Sequence, residues 1–103
     1  MTVVVVATVH PIAEHRDEVV AAFVDTIARV HAEDQGCELY ALHDGEDRLV
    51  MIEKWTSEEA LAAHGRGPAL VDLNGRITGK YLGEIDVRVL RPLPAGTAQQ
   101  GTL

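Results

Sequence analysis

Thr2-Val3-Val4-Val5-Val6-Ala7-Thr8-Val9 opens the chain, and Leu49-Val50-Met51-Ile52-Glu53-Lys54-Trp55 answers it halfway along. Valine is branched at Cβ, which stiffens χ1 and suits extended backbone, so the first stretch reads as a strand. Alternation puts Val3, Val5, Ala7 and Val9 on one face and Val4 and Val6 on the other. Both faces are apolar, whereas a strand covered on one side alternates with polar residues. Leu49-Val50-Met51-Ile52 repeats the pattern. Two such strands predict a sheet covered on both sides.

Working outward, His10-Pro11-Ile12-Ala13 turns the chain, with Pro11 discouraging further strand pairing. From about Glu14 to Glu33 the period is helical: Val20, Phe23, Ile27 and Val30 form one stripe, while Arg16, Asp17, Asp25 and Arg29 fall largely opposite. Gly36 ends this helix. Cys37 to His43 and Arg48 to Trp55 read as strands joined through Asp44-Gly45. A second helix starts near Ser57, with Thr56 as N-cap and Glu59 completing a capping box. Gly65-Arg66-Gly67 interrupts it, and Pro68 opens a further helix carrying Leu70 and Leu73. Gly75 to Gly83 reads as a loop or fraying helix end. In the last strand Ile85, Val87 and Val89 point inward and Glu84, Asp86 and Arg88 outward. Residues 94–103, with almost no apolar content, are expected to be a disordered tail behind a domain at 1–93.

The order is β-α-β-β-α-β, the split βαβ pattern of an α+β, ferredoxin-like fold with a four-stranded antiparallel sheet and helices on one face. No segment remains to cover the other face. A second copy packing sheet against sheet, a homodimer, is the economical cover.

Composition narrows the function. A length of 103 residues implies one domain with a modest core. Hydrophobic residues make up 47% and aromatics only 4%, namely Phe23, Tyr40, Trp55 and Tyr81, so the core is aliphatic and each aromatic is a marked position. Nine basic against sixteen acidic residues give a net charge of −7, a field that repels nucleic acid and anionic lipid. Cys37 is the single cysteine and supports neither an internal disulfide nor a cysteine zinc site. The apolar N-terminal run lacks a basic flank and is too short for a signal or membrane span, which makes a cytoplasmic protein the default.

The histidines, His10, His15, His31, His43 and His64, form no metal-like helical pair, and no glycine-rich phosphate loop is present. Neither a metal nor another cofactor is expected, so redox chemistry would proceed without one. Period two places Met51 and Glu53 beside Trp55 on one face. A carboxylate beside apolar surface has its charged form disfavoured and suits a base near neutral pH; alternatively Glu53 pairs with Arg48 or Lys80. Trp55 is either a plug between strand and helix or a substrate platform. His64, before Gly65, either meets the last helix carbonyls or leans over the cavity beside Trp55. Tyr40 on a strand and Tyr81 in a loop could present hydroxyls to a cavity or to water.

Val50-Met51-Ile52-Glu53-Lys54-Trp55-Thr56-Ser57, followed by Leu61-Ala62-Ala63-His64 and Pro68, resembles the signature of the antibiotic biosynthesis monooxygenase family. Asp34-Gln35-Gly36-Cys37-Glu38-Leu39-Tyr40 and Val87-Arg88-Val89-Leu90-Arg91-Pro92 resemble its bacterial quinol monooxygenase branch, and the similarity spans about residues 2–92. The resemblance implies a dimeric α/β barrel with a hydrophobic cavity between sheet and helices. There a phenol, naphthol or hydroquinone is oxidised by O2 without flavin, haem or metal. It also implies Trp55 as pocket wall, His64 as proton acceptor or donor and Glu53 as its partner or an alternative base. Met51, Leu61, Tyr40 and Tyr81 are the expected substrate contacts.

Departures from the family pattern are informative. The second histidine of the quinol-type segment falls on Ala69, and the asparagine and tyrosine of polyketide-oxidising members fall on Met51 and Leu61. Haem-degrading relatives carry an asparagine and a histidine where Ala7 and Asn74 stand, which disfavours haem. Two rival readings share the fold: a non-catalytic small-molecule-binding or stress-response dimer, and an isomerase of the muconolactone type.

Overall fold

The computed structural model describes residues 1–103. Its elements run β1 (Val3–Pro11), one 3-10 turn (Ala13–His15), α1 (Arg16–Glu33), β2 (Cys37–Asp44), β3 (Leu49–Trp55), α2 (Glu58–Gly65), α3 (Pro68–Ile77) and β4 (Tyr81–Leu90). The strands form one antiparallel sheet in the order β2-β3-β1-β4. This is the ferredoxin-like arrangement that the strand and helix order predicts, with β1 and β3, the two strands carrying apolar residues on both faces, adjacent at its centre.

The register fixes which residues share a face. Val5 lies opposite Glu53 on β3 and Val89 on β4, and Tyr40 lies opposite Glu53 from β2. Val3, Val5, Val9, Leu49, Met51 and Trp55 are buried on this side, beneath the helices. α1 contributes Val19, Ala22, Phe23, Thr26 and Val30, with Val20 and Ile27 half-buried. Its buried face is therefore wider than the expected stripe, because α1 packs on α3 as well as on the sheet. On the opposite face Val4, Val6, Val50 and Ile52 are neighbours in register and stay half-exposed, with Leu82 and Leu90 of β4 exposed beside them.

Several boundaries differ from expectation. β1 continues through Pro11, which pairs with Tyr81; its pairing with β3 ends at Val9, so beyond that point β1 has only β4 beside it and proline is tolerated. Of the segment read as a loop or fraying helix end from Gly75 to Gly83, residues 75–77 are the end of α3 and residues 81–83 already belong to β4. Ile77 is buried and extends the apolar stripe of Leu70 and Leu73, and tertiary packing outweighs the cost of Gly75 within the helix. Tyr81 thus belongs to a strand. Between Thr8 and His10 the β4 register slips by two residues, Asp86 to Leu82, across Gly83 at φ +64°, so the alternation of faces survives the bulge. The cap of α2 is Ser57, one residue later than expected, whose hydroxyl accepts from the Ala60 N–H at 3.0 Å.

Beyond Leu90 the chain carries no helix or strand, and the main-chain oxygen of Leu103 accepts from Lys54 Nζ at 2.9 Å. No helix is long and apolar enough to cross a membrane.

Candidate active site

A chain with four aromatic residues fills its interior with short side chains, and between sheet and helices they do not meet. A cavity of about 470 Å³ remains, well within the range that holds a small organic ligand. Val5, Ala7 and Val9 of β1 form its floor with Met51 of β3. Phe23 of α1, Leu61 of α2 and Leu70, Leu73 and Ile77 of α3 close it from above. Ile85, Val87 and Val89 of β4 form one side. All three point toward the helices as expected, but Val87 and Val89 are 57% and 55% exposed, so no helix covers that part of β4 and the cavity opens there.

The lining is apolar except at Thr8, Tyr40, Glu53, His64 and Asn74, and it contains no lysine or arginine. Three of these polar residues form one cluster. Tyr40 and Glu53 face each other across β2 and β3, and His64 descends from α2 onto them. The His64 ring lies 4.6 Å from the Trp55 ring at 34° and 5.1 Å from the Tyr40 ring at 69°. Trp55 Nε1 donates to Glu53 Oε1 at 3.0 Å. His64 Nδ1 is bonded to Asp34 Oδ2 at 2.7 Å. Tyr40, Glu53 and His64 are each at most 6% exposed.

Burial pushes the Glu53 carboxyl above the usual carboxylate range; the Trp55 N–H and the nearby His64 imidazole oppose that rise without cancelling it. Burial, reinforced by the acidic groups Glu53, Asp34 and Cys37, also raises the Tyr40 phenol, which stays protonated. Its hydroxyl has no partner within the chain, and Tyr40 lines the cavity, where a protonated phenol is able to donate a hydrogen bond. Burial likewise raises the Cys37 thiol, so it offers no thiolate nucleophile. No group of three or more metal-ligating side chains is assembled.

Met51, Leu61, Tyr40, Glu53 and His64 therefore line one cavity. Trp55 does not line it. It is fully buried behind the cluster, where it orients Glu53 through its N–H and His64 through its ring face, and so it is a plug and a support instead of a pocket wall. Tyr81 is half-buried against the core and also lies off the cavity. The expected pairing of Glu53 with Arg48 or Lys80 is overturned: Arg48 bonds Asp47 at 2.7 Å and Lys80 bonds Glu18 at 2.8 Å.

Asp34 escapes the sequence reading. Its signal is an acidic residue at the end of α1, where the helix dipole disfavours a negative charge and a donor is needed. Gly36 supplies the close approach. At φ +79° it brings the α1–β2 link so near α2 that a Cβ would stand 2.6 Å from both Ala60 Cβ and Thr56 Oγ1. Its carbonyl accepts from the Thr56 N–H at 2.9 Å, which ties the two junctions together and leaves Asp34 beside His64.

The sequence itself decides the family, since residues 2–74 match the model of antibiotic biosynthesis monooxygenase. The chain belongs to the antibiotic biosynthesis monooxygenase family. Solved structures share its fold. Rv0793 from Mycobacterium tuberculosis aligns with a TM-score of 0.86 at 24% identity, over 94% of this chain and 100% of its own. PA3566 from Pseudomonas aeruginosa aligns at 0.80 and 19% identity, over 89% and 94%. A conserved protein from Methanosarcina mazei aligns at 0.81 and 20% identity, over 88% and 92%. At these identities the likeness speaks for the fold alone. No curated protein gives a significant match.

Proposed function

We propose that this family member is a monooxygenase of the quinol type, oxidising a small uncharged phenol or hydroquinone with O2 and using no bound cofactor. One observation carries the reading: an apolar cavity of about 470 Å³ has Tyr40, Glu53 and His64 gathered at one end and no lysine or arginine anywhere in its wall. A carboxylate or phosphate substrate would enter unpaired, at a cost of several kcal/mol. This disfavours the isomerase reading, whose lactone substrate carries a carboxylate. A flat ring with a neutral hydroxyl meets no such penalty.

The proton leaves the substrate hydroxyl for His64 Nε2, with Glu53 as the alternative acceptor, and the Tyr40 hydroxyl donates to the aryloxide that forms. That anion is the reductant. It passes one electron to O2, the aryloxyl radical and superoxide combine through a ring carbon to a peroxide anion, and the imidazolium returns its proton to that peroxide. Loss of water from the hydroperoxide leaves a carbonyl on the ring. For a hydroquinone the sum is hydroquinone plus O2 giving hydroxyquinone plus water, a four-electron oxidation with one oxygen atom in each product. The apolar wall orients the ring and keeps bulk water from the intermediate.

Purified protein stripped of metal and flavin is mixed with 1,4-dihydroxynaphthalene, further hydroquinones and anthrone, and oxygen uptake is followed. We expect rates above autoxidation and, with 18O2, one labelled atom in the organic product. No substrate exceeding its autoxidation background would overturn the oxidation; saturable binding without uptake would instead support the binding-protein alternative.

A further inference from the structure

We propose that Asp34 is a positioning residue that holds His64 in the tautomer protonated on Nδ1, leaving Nε2 bare toward the cavity. This rests on the reading of His64 as proton acceptor. An ionised carboxylate only accepts hydrogen bonds, so the 2.7 Å contact between Asp34 Oδ2 and His64 Nδ1 requires the ring proton on Nδ1. Nε2 has no partner in the chain, and no buried side-chain polar atom is left unpartnered, so Nε2 is reached from the cavity that His64 lines.

The ring is held as well as bonded. Trp55 covers one side at 4.6 Å, and Tyr40 meets it edge-on at 5.1 Å. The side chain of His64 is 4% exposed and that of Asp34 18%, which strengthens the contact relative to a surface pair. Beside the imidazole stand Asp34 after α1, Tyr40 on β2 and Glu53 on β3. None is a cation.

The proton account is simple. The substrate O–H bond breaks, the proton joins Nε2, and the Nδ1 proton remains in its bond to Asp34, which never becomes protonated. No electron moves in this step.

Nitrogen-detected NMR on the 15N-labelled full chain tests it directly, with the His64 signal identified by its loss in His64→Gln. We expect a protonated Nδ1 and a bare Nε2 in the wild type. Asp34→Asn, whose amide can donate to Nδ1, should move the proton to Nε2. With 1,4-dihydroxynaphthalene we expect Asp34→Asn to lower kcat about 100-fold with KM changed less than about two-fold, and Asp34→Glu to recover at least about ten-fold of the loss. A wild-type His64 protonated on Nε2 overturns the proposal, and that measurement needs no variant to fold. Asp34→Asn with unchanged tautomer and kcat overturns it too. If the wild-type tautomer is as expected but no substrate consumes oxygen, the role of Asp34 in fixing the ring stands and the oxidation reading falls.

Discussion

Glu53 is a buried carboxyl with one good donor, the Trp55 N–H, and with no lysine or arginine paired to it. Its value lies above the ordinary 4.5 in the fold and returns there on unfolding. Between the two, the folded chain binds more protons, so this group contributes most stability below about pH 4.5 and loses it as pH rises through the folded value. Glutamine keeps the oxygen that accepts from Trp55 and cannot ionise. Glu53→Gln should therefore gain on the wild type as pH climbs, by at most about 1.4 kcal/mol per pH unit within that window. Urea denaturation at pH 4.5 and pH 8 measures the gap; a gap independent of pH would contradict the assignment. Glu53 and Trp55 stand out at this scale because period-two spacing and the only tryptophan mark them, whereas His64 is singled out as a site residue only by the family resemblance. The role of Asp34 was not readable, since its partner stands 30 residues away and only the approach at Gly36 joins them.

At the scale of elements, strands announced themselves and junctions did not. A valine-rich run fixes β1 and an apolar run, Leu49-Val50-Met51-Ile52, fixes β3, while the alternation in β4 fixes its faces. The end of α3 stays open between loop and fraying helix because Gly75 reads as a breaker, while Ile77 holds that turn through contacts that no local pattern displays. Gly36 is the junction with the sharpest requirement. Alanine there would meet Ala60 Cβ and Thr56 Oγ1 and would have to adopt a positive φ. Gly36→Ala should lose about 1–3 kcal/mol of stability in thermal or urea unfolding. Exposed ion pairs between α1 and α3, Arg29 with Asp72 at 2.6 Å and Arg76 with Asp25 at 2.8 Å, should matter far less. An alanine at Gly36 with wild-type stability would mean the two junctions are not in contact.

For the whole molecule, the outer sheet face asks for a cover. Val4, Val6, Val50 and Ile52 form a continuous apolar strip, half-exposed in a single chain, and a second copy related by two-fold symmetry is the cover we propose. Light scattering at micromolar concentration should give about twice the chain mass of 11.2 kDa, and Ile52→Glu should shift it toward one chain; a wild-type mass near 11.2 kDa would refute the pairing. The sequence carried this expectation because both faces of β1 and β3 are apolar, but an interface between copies is a property that one chain's alternation only implies. The cavity wall has a different consequence, for divergence among relatives. The groups that would handle protons stand on β2, β3 and α2, while much of the wall that shapes the ligand stands on β1, α3 and β4 and is built of alanine, valine, leucine and isoleucine. Exchanges among those aliphatics alter discrimination by about 1–3 kcal/mol per methylene. Substrate choice can thus drift in small steps along the aliphatic wall, while the proton-handling end keeps its residues and its partners.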